Sequence, residues 1–311
     1  MHIFAGTSGF SYAEWCGRFY PEALPGDRML RFYAERLPTV EINNTFYRMP
    51  KQETVIAWGE EVPDAFQFAV KASRRITHSQ KLADVGDDVA YLFNVIGVLG
   101  AKLGPVLFQL PPFLKKDIGL LNAFLAVLPE GRRAALEFRH PSWFTDDVYS
   151  ALAARNVALV GGDLEESEKS PPLVATADFG YLRLRRLDYD PAGIAEWGTR
   201  IAEQSWGSVY AYLKHEVLGP LFAESLLSVL TGRDQPDLSV VRASIAAPKP
   251  KSTRGAASKS KSNAPKSAKT ALKSSKAPSA RVSKAPESAS AKTTKRASKS
   301  PSKAPAKSRK A

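Results

Sequence analysis

Three acids and five cations fall at comparable places in this chain. Glu41, Glu137 and Asp163 each lie at or just beyond the end of a short apolar run, and so do Lys71, Arg139, Arg183, Arg185 and Lys214. Carboxylates fixed to such backbone positions could work as general acid and base, because proton transfer needs a side chain within reach of the reacting atom. Guanidinium groups offer a planar fork to phosphate or carboxylate, and lysine a point charge. Cations outnumber acids five to three in this set. The first expectation is therefore a phosphate-containing or other anionic ligand, clamped by Lys71, Arg139, Arg183 and Lys214. Glu41, Glu137 and Asp163 are the catalytic candidates for its hydrolysis. The competing expectation is a binding module without catalysis, in which the acids neutralise the cations internally.

Ala135 to Trp143 concentrates this chemistry. Leu136 and Phe138 alternate with Glu137 and Arg139, after which Pro141 breaks the strand and leaves His140 and Ser142 at its end. Thr7, Asn43, Gln109, His78 and His215 complete the predicted ligand-binding set. Glu41 and Glu137 could also form a glycosidase-type pair, although that chemistry depends on a separation that sequence does not supply. Phe10, Tyr12, Trp15, Phe46, Tyr47 and Trp143 could stack on sugar or base faces, or could plug loops over a core. No cofactor is expected. A single divalent metal would have to be assembled from His78, His140 and His215 with Glu41, Glu137, Asp163 or Glu216, without any His-Glu-x-x-His or Cys-x-x-Cys spacing. Ser8, Ser11 and Ser142 lack a nucleophile-elbow motif, and Cys16 lacks an activating signature.

These positions need elements to hold them. Short β-like runs begin near Ile3, Thr39, Phe66, Pro105, Ala135, Val157, Tyr181 and Ser208, and amphipathic helical stretches separate most of them. The helices are predicted at 27–36, 53–60, 87–102, 118–127, 146–154, 192–204 and 221–230, with loops over 7–25, 72–85 and 163–178. Eight strands joined by such crossovers predict an α/β fold, a single (β/α)8 barrel of the TIM type. Period-two alternation then gathers the polar strand-end residues at the C-terminal rim, where barrel enzymes keep their sites.

The motifs also carry a resemblance. Gly6-Thr7-Ser8-Gly9-Phe10-Ser11-Tyr12 with Trp15, the run from Glu41 to Arg48, and Phe68-Ala69-Val70-Lys71 with Thr77-His78 resemble the YecE-like family, domain of unknown function 72. Gln109-Leu110-Pro111-Pro112 and the run from Glu137 to Trp143 extend the likeness in the same order, over roughly Ile3 to Leu230. The resemblance implies a TIM-barrel-like fold and supplies no reaction. Two departures mark a variant branch: Arg185-Arg186 stands where many relatives carry His-Gly, and Lys214-His215-Glu216 where an Asn-rich ending is common.

Charge divides the chain near Pro248. Of 44 Lys+Arg, 19 lie from Pro248 onward, against the single acid Glu287 and no aromatic residue, so this segment carries +18 of a total of +13 and the remainder carries −5. The predicted organisation is a barrel over 1–236 and a tail over 237–311, strongly basic from 248. With little to bury, the tail is predicted to be disordered, and its composition resembles that of linker-histone tails. Its cations, among them Lys249, Lys251, Arg254, Lys259, Lys261, Lys295, Arg296, Lys299, Lys303, Lys307, Arg309 and Lys310, predict sequence-independent binding of DNA or RNA through phosphates. Neither a signal peptide nor a membrane span is expected, and the single Cys16 excludes an internal disulfide. A bacterial cytoplasmic protein attached to the nucleoid is the expectation.

Overall fold

The structure is a computed structural model that describes residues 1–163 and 170–232. The chain divides into two units, Met1–Pro250 and Lys251–Ala311. The second lies outside the described residues, as do the predicted boundary at 236–237 and every tail cation named above.

Eight parallel strands close into a barrel in sequence order. They are β1 (His2–Ser8), β2 (Thr39–Ile42), β3 (Gln67–Lys71), β4 (Leu103–Gln109), β5 (Ala134–Glu137), β6 (Ala158–Asp163), β7 (Phe179–Leu184) and β8 (Ser208–Leu213). β8 pairs back onto β1, from His2 opposite Ser208 to Thr7 opposite Leu213. The outer layer contains α1 (Met29–Ala34), α2 (Gln52–Glu60), α3 (Gly86–Ile96), α4 (Ile118–Val127), α5 (Asp146–Ala154), α6 (Pro191–Ala202) and α7 (Gly219–Thr231). The predicted (β/α)8 barrel is the observed fold.

Strand parity sorts the side chains. One set packs outward against the helices; Val40, Phe68, Val106, Leu136, Leu159, Leu182 and Val209 belong to that core. The other set fills the barrel with Ala69, Leu107, Ala135, Val160, Phe179, Tyr181, Tyr210 and Tyr212. Strands covered on both faces by apolar contacts are the usual condition of parallel sheets. At the N-terminal end, Phe4 stacks on Tyr210 at 4.7 Å. Higher up, the Tyr212 and Thr39 hydroxyls lie 2.9 Å apart.

Several predicted helices are shorter than their sequence patterns. The stretch predicted as helix over 87–102 leaves α-geometry at Gly97 and continues as a 3-10 segment to Lys102, interrupted by Gly100 at φ 56°. Pro25 precedes a 3-10 turn, Gly26–Arg28, which delays α1 to Met29. The predicted loop over 72–85 contains a π-helical turn, Arg75–Ser79. Among the described residues no helix is long and apolar enough to cross a membrane.

Candidate functional site

Alternation brings one polar residue from each of several strands to the C-terminal mouth. Ser8, Glu41, Lys71, Gln109, Glu137 and Arg183 follow the inward parity of β1, β2, β3, β4, β5 and β7. Arg183 is their hub, with a side chain only 7% exposed. It donates from Nη1 to Glu137 Oε2 at 2.7 Å and from Nη2 to Glu41 Oε1 at 2.7 Å. Glu41 also accepts from Ser8 Oγ at 2.9 Å, Asn43 Nδ2 at 2.9 Å and Tyr181 Oη at 2.8 Å. Glu137 accepts from Gln109 Nε2 at 2.7 Å, Arg185 Nη2 at 3.2 Å and Arg139 Nε at 3.3 Å. Lys71 Nζ donates to Gln109 Oε1 at 2.9 Å and lies 4.3 Å from the Phe46 ring centre.

This geometry sets the protonation states. Burial alone would raise both glutamates. For Glu41 that effect is outweighed by Arg183 and by hydrogen bonds from Tyr181 and Asn43, so its carboxyl sits below the ordinary range. Glu137 is likewise held below the ordinary range, because Arg183, Arg185 and Arg139 all face it. Burial, with Arg183 nearby, pushes the Lys71 ammonium down to about 8. His78 is also shifted down by burial, with Lys71, Arg139 and Arg74 adding to it. Two ionised carboxylates therefore meet three guanidinium groups and one partly charged amine. The cluster carries a positive excess.

A cavity of about 630 Å³ opens beside it, lined by Glu137, Arg139, Arg183 and Arg185 and also by the apolar Phe138, Pro141, Phe144 and Val160. That volume lies within the usual range for small-molecule clefts, ~300–1,000 Å³. β6 and β7 approach closely at its edge. Gly162 has φ 143°, and a Cβ there would lie 2.1 Å from the Arg183 carbonyl oxygen. Only glycine lets the two backbones meet at that point.

Other predicted site residues are placed elsewhere. Thr7 has the outward parity, and its amide donates to Tyr33 Oη at 2.8 Å in the helix layer. Asp163 borders the cavity but has its oxygens engaged by the Tyr189 hydroxyl, Trp197 Nε1 at 2.9 Å and the Arg185 amide at 3.0 Å, so it ties β6 to α6 and β7. It is not aligned with the two glutamates as an acid/base group. His140 Nδ1 accepts from the Ser142 amide at 3.2 Å and caps the turn Pro141–Trp143. His215 Nδ1 accepts from the amides of Val217 and Leu218, fixing the approach to α7. Lys214 is exposed, and its backbone amide donates to the Leu184 carbonyl. Among the described residues no three His, Cys, Asp or Glu side chains are grouped to hold a metal ion.

The loop aromatics divide as well. Trp15 and Trp143 are buried plugs whose indole N–H groups donate to the carbonyls of Glu216 and Leu114, whereas Tyr47 is 76% exposed. Two contributors were not singled out as ligands, Ser8 and Tyr181. Both share the inward parity with named neighbours, and that parity was the available signal.

The glycosidase reading fits this electrostatic setting poorly. That chemistry needs one carboxyl raised and protonated as the acid. Here both candidates are lowered.

Comparisons with known proteins follow the same outline. The family model described as "Protein of unknown function DUF72" matches residues 4–245. The UPF0759 protein YecE of Escherichia coli is 31% identical over 143 residues, 46% of this chain and 50% of that protein. The UPF0759 protein YunF of Bacillus subtilis is 29% identical over 159 residues, 47% and 54% of the two chains. The matches thus span about half the length of these curated relatives. Among solved structures, a protein from Thermotoga maritima superposes with a TM-score of 0.63 at 23% identity, covering 74% of this chain and 99% of the other. One from Enterococcus faecalis gives 0.62 at 20% identity, covering 73% and 95%. At those identities the likeness is one of fold.

Proposed function

The chain belongs to the DUF72 family, and from that premise we propose that its barrel binds a phosphate-containing or similar small anion in the strand-end cleft. The observation that carries this reading is the charge balance: Arg139, Arg183 and Arg185 all face Glu137, and Lys71 adds a fourth cation against only two glutamates. The carboxylates orient the guanidinium groups and leave positive charge over for a ligand. A carboxylate held ionised in this way is a poor general base and cannot be the acid, so the arrangement favours binding over hydrolysis by Glu41 or Glu137. The apolar residues in the cavity lining suit a ligand with a hydrophobic or planar body attached to its anionic group.

The basic segment from Pro248 onward attaches the chain to nucleic acid in the same reading. Its +18 supports this, since cations that contact phosphates release condensed counterions.

Calorimetric titration with inorganic phosphate and a panel of phosphate monoesters tests the cleft. Arg139→Ala removes a partly exposed cation and should weaken binding about tenfold, the loss of roughly one charge-assisted hydrogen bond. Unchanged affinity for every anion that binds the parent would refute the reading. For the tail, duplex DNA binding should fall with a log–log salt slope near −7 if ~8 phosphates are contacted, and should be largely lost in a chain ending at Ala247. Equal affinity of the shorter chain would refute that part alone.

A further inference from the structure

Lys71 stands apart from the other cations of the mouth. Each of the three arginines that face Glu137 is ion-paired to it. The Lys71 amine has no carboxylate partner among the described residues. Its contacts are the neutral Gln109 oxygen at 2.9 Å and the face of Phe46 at 4.3 Å. Gln109 in turn donates to Glu137, so the amine sits one side chain away from the arginine cluster. The residue as a whole is half-buried. Near it are Arg183 and Arg139, which oppose its charge, Glu41 and Glu137, which favour it, and His78 behind Phe46. An amine desolvated against an aromatic ring and crowded by cations is the arrangement that prepares lysine for nucleophilic work.

We propose that Lys71 is an imine-forming amine, condensing with the aldehyde or ketone carbon of a small compound whose anionic group lies against the neighbouring arginines. The second half of this statement rests on the anion reading of the cleft, whereas the amine chemistry does not. The neutral amine adds its lone pair to the carbonyl carbon, and the C=O π electrons move to oxygen. Two protons, one from the nitrogen and one from solvent, convert that oxygen to a departing water. The product is a C=N bond to Nζ, which keeps its second hydrogen and is therefore the protonated imine. Without further chemistry the step reverses by adding water. Depression of the Lys71 ammonium to about 8 supports the first step, since the neutral fraction at neutral pH is roughly three-hundredfold above that of an ordinary lysine.

The test uses the full chain, with glyoxylate as the anionic aldehyde and propanal as the neutral one. Cyanoborohydride reduces any imine to a stable secondary amine, and peptide mapping reports the rate at each lysine. Lys71 should be labelled by glyoxylate about tenfold or more faster than exposed Lys51, a part of the roughly three-hundredfold gain in its own neutral fraction. Lys71→Arg, which keeps a cation at the position, should remove that fast-labelled site and leave the others unchanged. A preference for glyoxylate over propanal that Arg139→Ala abolishes supports the anionic half of the proposal. Fast labelling by both aldehydes alike would overturn that half and uphold the amine. Labelling no faster than Lys51 with either aldehyde, in protein that still binds phosphate, would overturn the amine proposal while leaving the anion reading standing.

Discussion

Arg183→Met would remove the hub of the barrel mouth while keeping an unbranched, apolar side chain in its place. Glu41 is fully buried and Glu137 nearly so, and each has an Arg183 nitrogen at 2.7 Å. Breaking a buried ion pair by deleting one partner typically costs ~3–5 kcal/mol, because the other charge stays behind. The two glutamates are not equally exposed to that loss. Glu137 retains hydrogen bonds from Arg185, Arg139 and Gln109, whereas the hydrogen bonds that Glu41 retains among the described residues come from the neutral donors Ser8, Asn43 and Tyr181, with Arg185 acting on it through charge alone. Most of the penalty therefore falls on one carboxylate, and ~3 kcal/mol is the expected destabilisation at neutral pH. The sign of the pH dependence should change with it. In the parent, both glutamates are lowered from about 4.5, so their contribution is present above that value and is lost as pH falls through the folded values. In the variant, Glu41 keeps its burial but loses its hydrogen-bonded cation, so its carboxyl is raised, the folded state binds the extra proton, and stability falls as pH rises from about 5 to 7 by up to ~1.4 kcal/mol per pH unit. Urea denaturation across that range measures both effects. Adding Glu41→Gln should recover about half of the loss, because an amide has no charge to desolvate. A destabilisation below ~1 kcal/mol, with no rescue by Glu41→Gln, would refute the assignment of Arg183 as the neutralising hub.

Three further outcomes follow from the geometry. Gly162→Ala should cost ~3 kcal/mol by denaturation, combining an unfavourable positive φ with a Cβ placed 2.1 Å from the Arg183 carbonyl oxygen. Asp163→Asn should cost ~2 kcal/mol by weakening its bonds with Tyr189, Trp197 and the Arg185 amide, yet leave anion affinity unchanged within twofold if the residue is a brace. Lys71 titrates at about 8 in the fold against 10.5 when free, so the unfolded chain binds more protons between those values and stability rises with pH there. Replacing it with methionine should remove that rise, read as the difference between variant and parent denaturation across about pH 7 to 10.

Strand alternation made the barrel and most of its mouth legible before any coordinates. The pattern around Leu136, Glu137, Phe138 and Arg139 states which side chains turn inward, and the same reading places Glu41, Lys71, Gln109 and Arg183. It failed where parity was not applied strictly. Thr7 and Asp163 are polar and stand at strand ends, but each lies one residue out of phase with its inward neighbour, Ser8 or Gly162. A one-residue offset turns a side chain to the other face of the sheet. The three histidines illustrate a different limit. Their roles depend on tertiary partners, the Phe46 ring for His78 and local backbone amides for His140 and His215, and residue type does not reveal those partners.

The charge states decide how the site should be read. Sequence alone allowed the glutamates to be proton-transfer groups and the cations to be their clamps. The distances reverse that division of labour. Two 2.7 Å bonds from one guanidinium to two buried carboxylates turn Glu41 and Glu137 into fixed negative charges, whose effect is to hold Arg183 and Arg185 inside a low-dielectric barrel. Fixed charges stabilise or orient a ligand, but they do not exchange protons near neutral pH. In this cluster the group brought close to neutral pH with a nucleophilic form is Lys71, and among the described residues its amine has no carboxylate contact. Any chemistry at this mouth should therefore depend on the Lys71 amine, with the glutamates acting only through the arginines they hold.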